Sequence, residues 1–394
     1  MANTGAVYPE HFGALGDGIT DDSLALQAAI DSIANAGSGY VSLKGGKVYN
    51  LSKPIHIINK SILFDGANAT LNLTADAASI LNINSSKCEI RNLSFVKQKN
   101  VKATTAIFVT GLENVFNNIS SRDQKFENFF LAQNLKESHF RNIRVDLDIA
   151  NHTGNIFKLE HCVNNTFSDS MIGYCNKAFY GSSSAHPTFG YKNEGVLIAN
   201  VIVVYAAAAC NFDFVTFLSI TNSIFDFCLT YGVYCSNGQD LKIANTWIAS
   251  DTANNFLAVG TTPNFDDAAV MNCTLTKTIN STTANAFGLS GTNSKVIGNV
   301  VKNGMDGGAV TRGAVIGNSY VGNGSPIAFG GLQTFIEGNL TVNTITVTNE
   351  TLLKAKGLAE NATAGLHGTV PLKVAGFIIV NIAGNDQKIP YFNL

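Results

Sequence analysis

Ile90-Arg91-Asn92, Phe116-Asn117-Asn118 and Phe140-Arg141-Asn142 share one form: an apolar residue, any residue, then Asn. The triplet returns as Ile198-Ala199-Asn200, Ile220-Thr221-Asn222, Ile243-Ala244-Asn245, Val270-Met271-Asn272, Ile297-Gly298-Asn299 and Ile316-Gly317-Asn318, and Phe167-Ser168-Asp169 fits with Asp for Asn. Successive third positions lie 26, 24, 27, 31, 22, 23, 27, 27 and 19 residues apart. A period of about two dozen residues is that of a solenoid. It holds three short strands with turns, and a parallel β-helix stacks equivalent strands about 4.8 Å apart. A bend Asn then meets its counterparts above and below, so the amides can hydrogen-bond as a ladder. The pattern predicts an all-β chain, with a parallel β-helix over about residues 41–343.

Composition agrees and narrows the function. Of 394 residues, 45% are hydrophobic and only 14% charged, with 36 Gly, which suits a large core under a polar, uncharged surface. A net charge of −2 lacks the basic field that nucleic acid binding needs, so no nucleic acid partner is expected; sugar suits such a surface better. No stretch of 18 or more apolar residues exists, and the opening MANTGAVYPEHFG has neither a basic nor an apolar signal region. Neither membrane insertion nor an export signal is expected. Cys88, Cys162, Cys175, Cys210, Cys228, Cys235 and Cys273 form no metal-binding spacing and are expected as buried free thiols.

The ends read differently from the middle. In residues 1–40, Asp21 or Asp22 caps a helix, Leu26, Ile30 and Ile33 form its apolar stripe, and Gly37 ends it. Such a helix covers the open end of a solenoid core. The run Phe12-Gly13-Ala14-Leu15-Gly16-Asp17-Gly18-Ile19-Thr20-Asp21-Asp22, followed by Ala25-Leu26-Gln27-Ala28-Ala29-Ile30-Asp31, resembles the opening motif of the pectate-lyase-like right-handed β-helix superfamily. That family includes polysaccharide lyases, hydrolases and the capsule-degrading tailspikes of bacteriophages. Asp17, Asp21 and Asp22 lack the dense alternation of oxygen-ligand loops, so no metal and no cofactor is expected. In residues 344–394, Gly376-Phe377-Ile378-Ile379-Val380-Asn381-Ile382 and Gln387-Lys388-Ile389-Pro390-Tyr391-Phe392 flank Ala383-Gly384-Asn385-Asp386 as a β-hairpin. This ending resembles the terminal module of phage tail proteins, which implies a homotrimer and a place in the virion tail. The opening motif begins close to Met1, so the chain is expected either to be a trimmed fragment or to join the particle through another virion tail protein.

Strand alternation sorts the remaining side chains. After each bend Asn, offsets +1 and +3 are mostly apolar, as in Leu93 and Phe95 or Val201 and Val203, and face the core. Offsets +2, +4 and +6 then face out and hold Arg144, Asp146 and Asp148, Ile224 and Asp226, and Trp247 and Asp251. Asp226 and Asp251, on neighbouring rungs and two residues out of step, are expected about 8 Å apart. That is the spacing of an inverting glycosidase, in which one acid protonates the leaving oxygen and one base activates water. Trp247 offers a plane for a sugar ring. Asp146 and Asp148, with Arg144 beside them, are the second pair. The outward apolar residues Met171, Ile202, Ile224 and Trp247 also read as a patch covered by another subunit. His186 and Tyr191, in the turn-rich insertion after Tyr180, are expected to touch substrate, as loops on rigid scaffolds do. A lyase would draw instead on His139, His152, His161 or Lys158, which no spacing unites.

The sequence thus reads as a trimeric tailspike-like depolymerase that hydrolyses a bacterial capsular or surface polysaccharide. Elimination at a uronate, a glycan-binding fibre that does not cut, and a bacterial enzyme unrelated to any virus are the alternatives.

Overall fold

The computed structural model describes residues 5–34, 37–181, 193–250, 257–261, 265–277, 287–289, 293–302, 314–316, 318–321, 335–337, 346–347, 376–382 and 385–391. By contacts the chain falls into two units, residues 1–338 and 339–394. The first is a parallel β-helix. Each turn contributes one strand to each of three sheets: sheet A before the bend Asn, sheet B after it, and sheet C closing the turn. His139–Asp146, which runs through sheets A and B, pairs in parallel with Val115–Arg122 below and Val163–Gly181 above. In sheet C, Asn128–Lys136 lies between Ala103–Leu112 and Asn155–Glu160, again in parallel. The coil is right-handed, as nearly all parallel crossovers are, because a twisted strand packs back on its sheet only that way.

The repeated Asn makes this coil possible in two ways. Asn92, Asn118, Asn142, Asn200, Asn222, Asn245 and Asn272 have φ between 51° and 56°, as does Asp169 at 52°. That left-handed conformation turns sheet A into sheet B, and Asn and Asp tolerate it better than other residues with a Cβ. Their side chains also form the ladder: Asn118 donates to Asn92 at 2.9 Å, Asn200 to Asp169 at 3.2 Å and Asn245 to Asn222 at 3.3 Å. The expected ladder shifts at Asn142, which donates to Asn117 at 3.0 Å, and fails at Asn299. There Gly298 takes the bend with φ 65°, and Asn299 turns inward, donating to the Val270 carbonyl and accepting from the Cys273 N–H. Asn114, Asn165 and Asn193 serve the corner between sheets C and A in the same inward manner, each satisfying one buried N–H and one carbonyl.

Inside, equivalent residues stack from turn to turn. Leu93, Phe95, Ile143, Val145, Val201, Val203, Cys273 and Leu275 are all buried. Phe116, Phe140 and Phe167 stack face to face at 4.8 Å, and Phe130, Phe157 and Phe179 do so at 5.0 and 5.2 Å. The spacing is that of neighbouring strands, so the coil sets the ring separation, and each such pair adds about 0.5–1.5 kcal/mol beyond its buried area. All seven cysteines are buried and unbridged. Burial pushes the Cys162 and Cys228 thiols up to about 12.

The N-terminal helix, Ser23–Asp31, is shorter than expected. It closes at Ser32, before Gly37, while Leu26 and Ile30 are fully buried against the first turns. Asp22 sits at its N-cap, but its carboxylate accepts from the N–H groups of Leu15 and Gly16 instead. Asp21 binds Ser23 and Ser52, and Asp17 binds Ile19 and Thr20, so the three acids serve separate turns. The hydroxyl and N–H donors around Asp21 outweigh its partial burial and hold the carboxyl down at about 2. No helix among the described residues is long and apolar enough to cross a membrane. In the second unit, Gly376–Ile382 pairs antiparallel with Asn385–Tyr391, and Thr346–Val347 runs parallel to the former.

Candidate functional site

Two rows of outward positions climb sheet B. The first, in strict register, is Thr70, Ser94, Ser120, Arg144, Met171, Ile202, Ile224 and Trp247. The second, two residues further along each strand, is Arg122, Asp146, Gly173, Val204 and Asp226. The lower part of these rows lines an open groove of about 470 Å³, with Ser94, Ser120, Arg122, Arg144, Asp146 and Met171 in its walls. Asp146 is half-buried there. Burial raises its carboxyl above the usual range and the neighbouring Arg122 opposes the rise, so the group is biased toward its protonated form while facing an open cleft.

The upper part of the first row is apolar. Met171, Ile202, Ile224 and Trp247 are 47%, 37%, 38% and 36% exposed on four successive rungs, a continuous stripe on the outside of the coil. Beside the second row, at the corner between sheets B and C, runs an aromatic rail. Tyr174 stacks on Tyr205 at 5.0 Å, Tyr205 on Phe227 at 4.5 Å, and His152 lies 5.8 and 5.9 Å from the two tyrosine rings. Tyr174, Tyr205 and Phe227 have φ of 50°, 50° and 53°, so each occupies a tight corner that presents its ring at the edge of the sheet.

The sequence-predicted acids fare unequally. Asp226 is half-buried on the second row, and its Oδ1 accepts the Phe227 N–H at 2.9 Å, next to the rail. Its expected partner Asp251 lies outside the described residues, as do His186 and Tyr191. Asp148 corrects the outward reading. It is 1% exposed, with its carboxylate tied to Asn151, Thr153 and Lys125, and those hydrogen bonds outweigh burial and hold its pKa low. The strand ends at Asp146, so alternation no longer applies two residues later. Asp146 and Asp226 share a row but stand three rungs apart, about 14 Å, too far for a glycosidase pair.

Alternation points to Arg122 as well, which stands at offset +4 from Asn118. Alternation does not reach Asp123, which sits in a corner. It is exposed, its N–H donates to the Asp146 carbonyl at 2.7 Å, and its Oδ1 accepts from the Ile149 N–H at 3.1 Å. The lyase candidates scatter. His139 begins a sheet A strand, His152 joins the aromatic rail, Lys158 pairs with Glu160 on sheet C at 3.0 Å, and His161 follows at the next corner. Among the described residues, no group of three or more His, Cys, Asp or Glu is placed to hold a metal ion.

No family model matches the chain. Over 41 residues, 10% of this chain and 5% of the relative, it is 54% identical to Depolymerase 1, capsule KN3-specific, of Klebsiella phage KN3-1. The match therefore spans about a twentieth of that relative's length. Among solved structures, the tailspike protein of E. coli bacteriophage HK620, determined with a hexasaccharide, is similar with a TM-score of 0.60 at 11% identity, covering 81% of this chain and 66% of that one. The A-module of mannuronan C-5 epimerase AlgE6 of Azotobacter vinelandii gives 0.57 at 14% identity, covering 85% and 100%. The family 28 exopolygalacturonase of Yersinia enterocolitica gives 0.55 at 10% identity, covering 86% and 80%. At such identities these likenesses show a shared β-helix fold and nothing finer.

Proposed function

We propose that the chain is a tailspike-type depolymerase that binds and cleaves a bacterial surface polysaccharide, acting as a homotrimer on a phage tail. The observation that carries this reading is Asp146: a half-buried carboxyl, raised toward its protonated form, in an open groove between Arg122 and Arg144. Support also comes from the short capsule-depolymerase match and from neighbours whose names are those of glycan-processing proteins and a tailspike.

In this reading the polysaccharide lies along the groove and past the rail of Tyr174, Tyr205 and Phe227, whose rings cover one another's faces and offer their edges. Asp146 donates its proton to the glycosidic oxygen as the bond to the anomeric carbon breaks. Asp123, joined to Asp146 through the backbone, takes a proton from the attacking water, so the products gain one water and the two acids exchange protonation states. Arg122 and Arg144 hold the sugar's oxygens. Hydrolysis is the reading that the raised Asp146 carboxyl supports; an elimination would draw instead on Arg122 and Arg144 in the groove or on His152 beside Tyr174 and Tyr205. Asp226 with Asp251 is the second acid pair, since Asp226 borders the rail.

Trp247, read from the sequence as a sugar platform, is assigned here to subunit contact. It continues the Met171, Ile202 and Ile224 stripe in register, and an aliphatic stripe of that length suits another protein surface better than a sugar. Incubation with a panel of purified capsules, read by reducing-end release and product mass, tests the function. Products heavier by one water are expected. Unsaturated uronates would establish elimination, and binding without products would establish a non-cutting fibre.

A further inference from the structure

Where sheet B meets the next corner, a second and larger concavity lies beside the groove. It has a volume of about 740 Å³ and is lined by residues 97–104 of one turn and by Asp123, Gln124, Lys125 and Glu127 of the next. Lys97 directly follows Val96, and Asp123 directly follows Arg122, so the two concavities are lined by neighbouring residues of the same turns and share none. Four lysines line this one, Lys97, Lys99, Lys102 and Lys125, with the carboxylates Asp123 and Glu127 in the lining and Asp76 and Asp148 behind it.

The walls are held by hydrogen bonds. The Gln124 side chain accepts the Lys97 N–H at 2.9 Å and donates to the Arg122 carbonyl at 3.2 Å, tying one corner to the other. The Lys102 N–H donates to Asp76 at 2.8 Å, and the Val101 N–H donates to the Gln98 carbonyl at 3.1 Å. The ammonium groups are less well matched. Among the described residues only Lys125 of the four has a carboxylate within ion-pair distance, the buried Asp148 at 3.5 Å. Lys97 is half-buried and gives its ammonium to the Val101 carbonyl at 2.8 Å, a neutral partner. Burial and the nearby Lys125 lower its pKa while Asp76 opposes, so an arriving anion would relieve the strain on its charge.

We infer that this lysine-lined corner binds the acidic group of a negatively charged polysaccharide, so that the strand entering the Asp146 groove is an acid-bearing glycan. The inference rests on the proposed function for the second clause and on the corner itself for the first. Lysines place point charges without the planar fork of arginine, which suits a carboxylate or sulfate presented at varying angles along a flexible polymer.

The test is binding of dextran sulfate oligomers, with unsulfated dextran of equal length and a DNA duplex of equal charge as comparisons. The variant Lys99→Gln/Lys102→Gln changes only exposed side chains, Lys97→Gln adds the half-buried one, and Lys242→Gln/Lys295→Gln alters exposed lysines elsewhere on the coil. Expected are salt-sensitive binding of dextran sulfate, none of dextran, at least a tenfold loss with a shallower salt dependence in the corner variants, and no change in the control. Absent binding, equal loss in corner and control variants, or tighter binding of DNA would overturn the inference. The same variants on a cleaved acidic capsule separate the two readings. Cleavage at unchanged KM would sink the acidic-glycan inference and leave the depolymerase standing, whereas lysine-dependent binding with no capsule cleaved would do the reverse.

Discussion

The lower and upper halves of sheet B are built alike inside and differ outside. Up to the Asp146 rung, the outward rows carry Ser94, Ser120, Arg122 and Arg144; above it the first row carries Met171, Ile202, Ile224 and Trp247. Beneath both halves the core is stacked in the same way, Ile119 on Ile143 in one column and Val145, Ile172, Val203, Phe225 and Ile248 in the next, all buried. Parallel strands in register give each outward position neighbours of its own kind one rung above and below, so a row behaves as one surface. A few consecutive rungs are enough to change what that surface meets. The coil supplies stability, and the outward rows decide contact.

The largest effect that would break this comparison belongs to the charged half. Asp146→Asn should lower kcat on a cleavable capsule by about 10²–10⁴-fold while oligosaccharide affinity and assembly mass stay unchanged. The pH profile gives the sign. Asp146 works protonated, so activity should fall as pH rises through its raised pKa, and Arg122→Gln, by removing the charge that opposes the rise, should move that alkaline limb to higher pH. A limb that stays in place would mean that another group is the acid.

A smaller effect belongs to the apolar half. Ile202→Asn/Ile224→Asn places amides on exposed positions of the stripe, so the fold of one chain should survive with little loss in Tm. Mass by light scattering should fall from trimer toward monomer. An unchanged trimer would show that the stripe is not the contact.

Much of this was legible in the residues because the physics repeats. An Asn that must adopt positive φ at every bend leaves a mark each two dozen residues, and inward offsets such as Leu93 and Phe95 follow from it. The same rule failed where the strand stopped. Asp148 lies past the end of His139–Asp146 and turns into its own corner, and Asn299 gave its bend to Gly298. The aromatic rail and the lysine corner were hidden for a related reason. Both lie in turns, where no period of two links Tyr174 to Tyr205 or Lys97 to Lys125, and only the coil's register brings them together.

Trp247, the only Trp in the chain, offers the most direct measurement, because its quenching by acrylamide reports on one rung of one half of the sheet. In an isolated chain it is 36% exposed and open to the quencher. The division of sheet B predicts that in the assembled protein Trp247 is shielded, with a low quenching constant that added oligosaccharide leaves unchanged. A Trp247 freely quenched in the assembly and protected only when sugar is added would place the glycan on the apolar half and contradict the account.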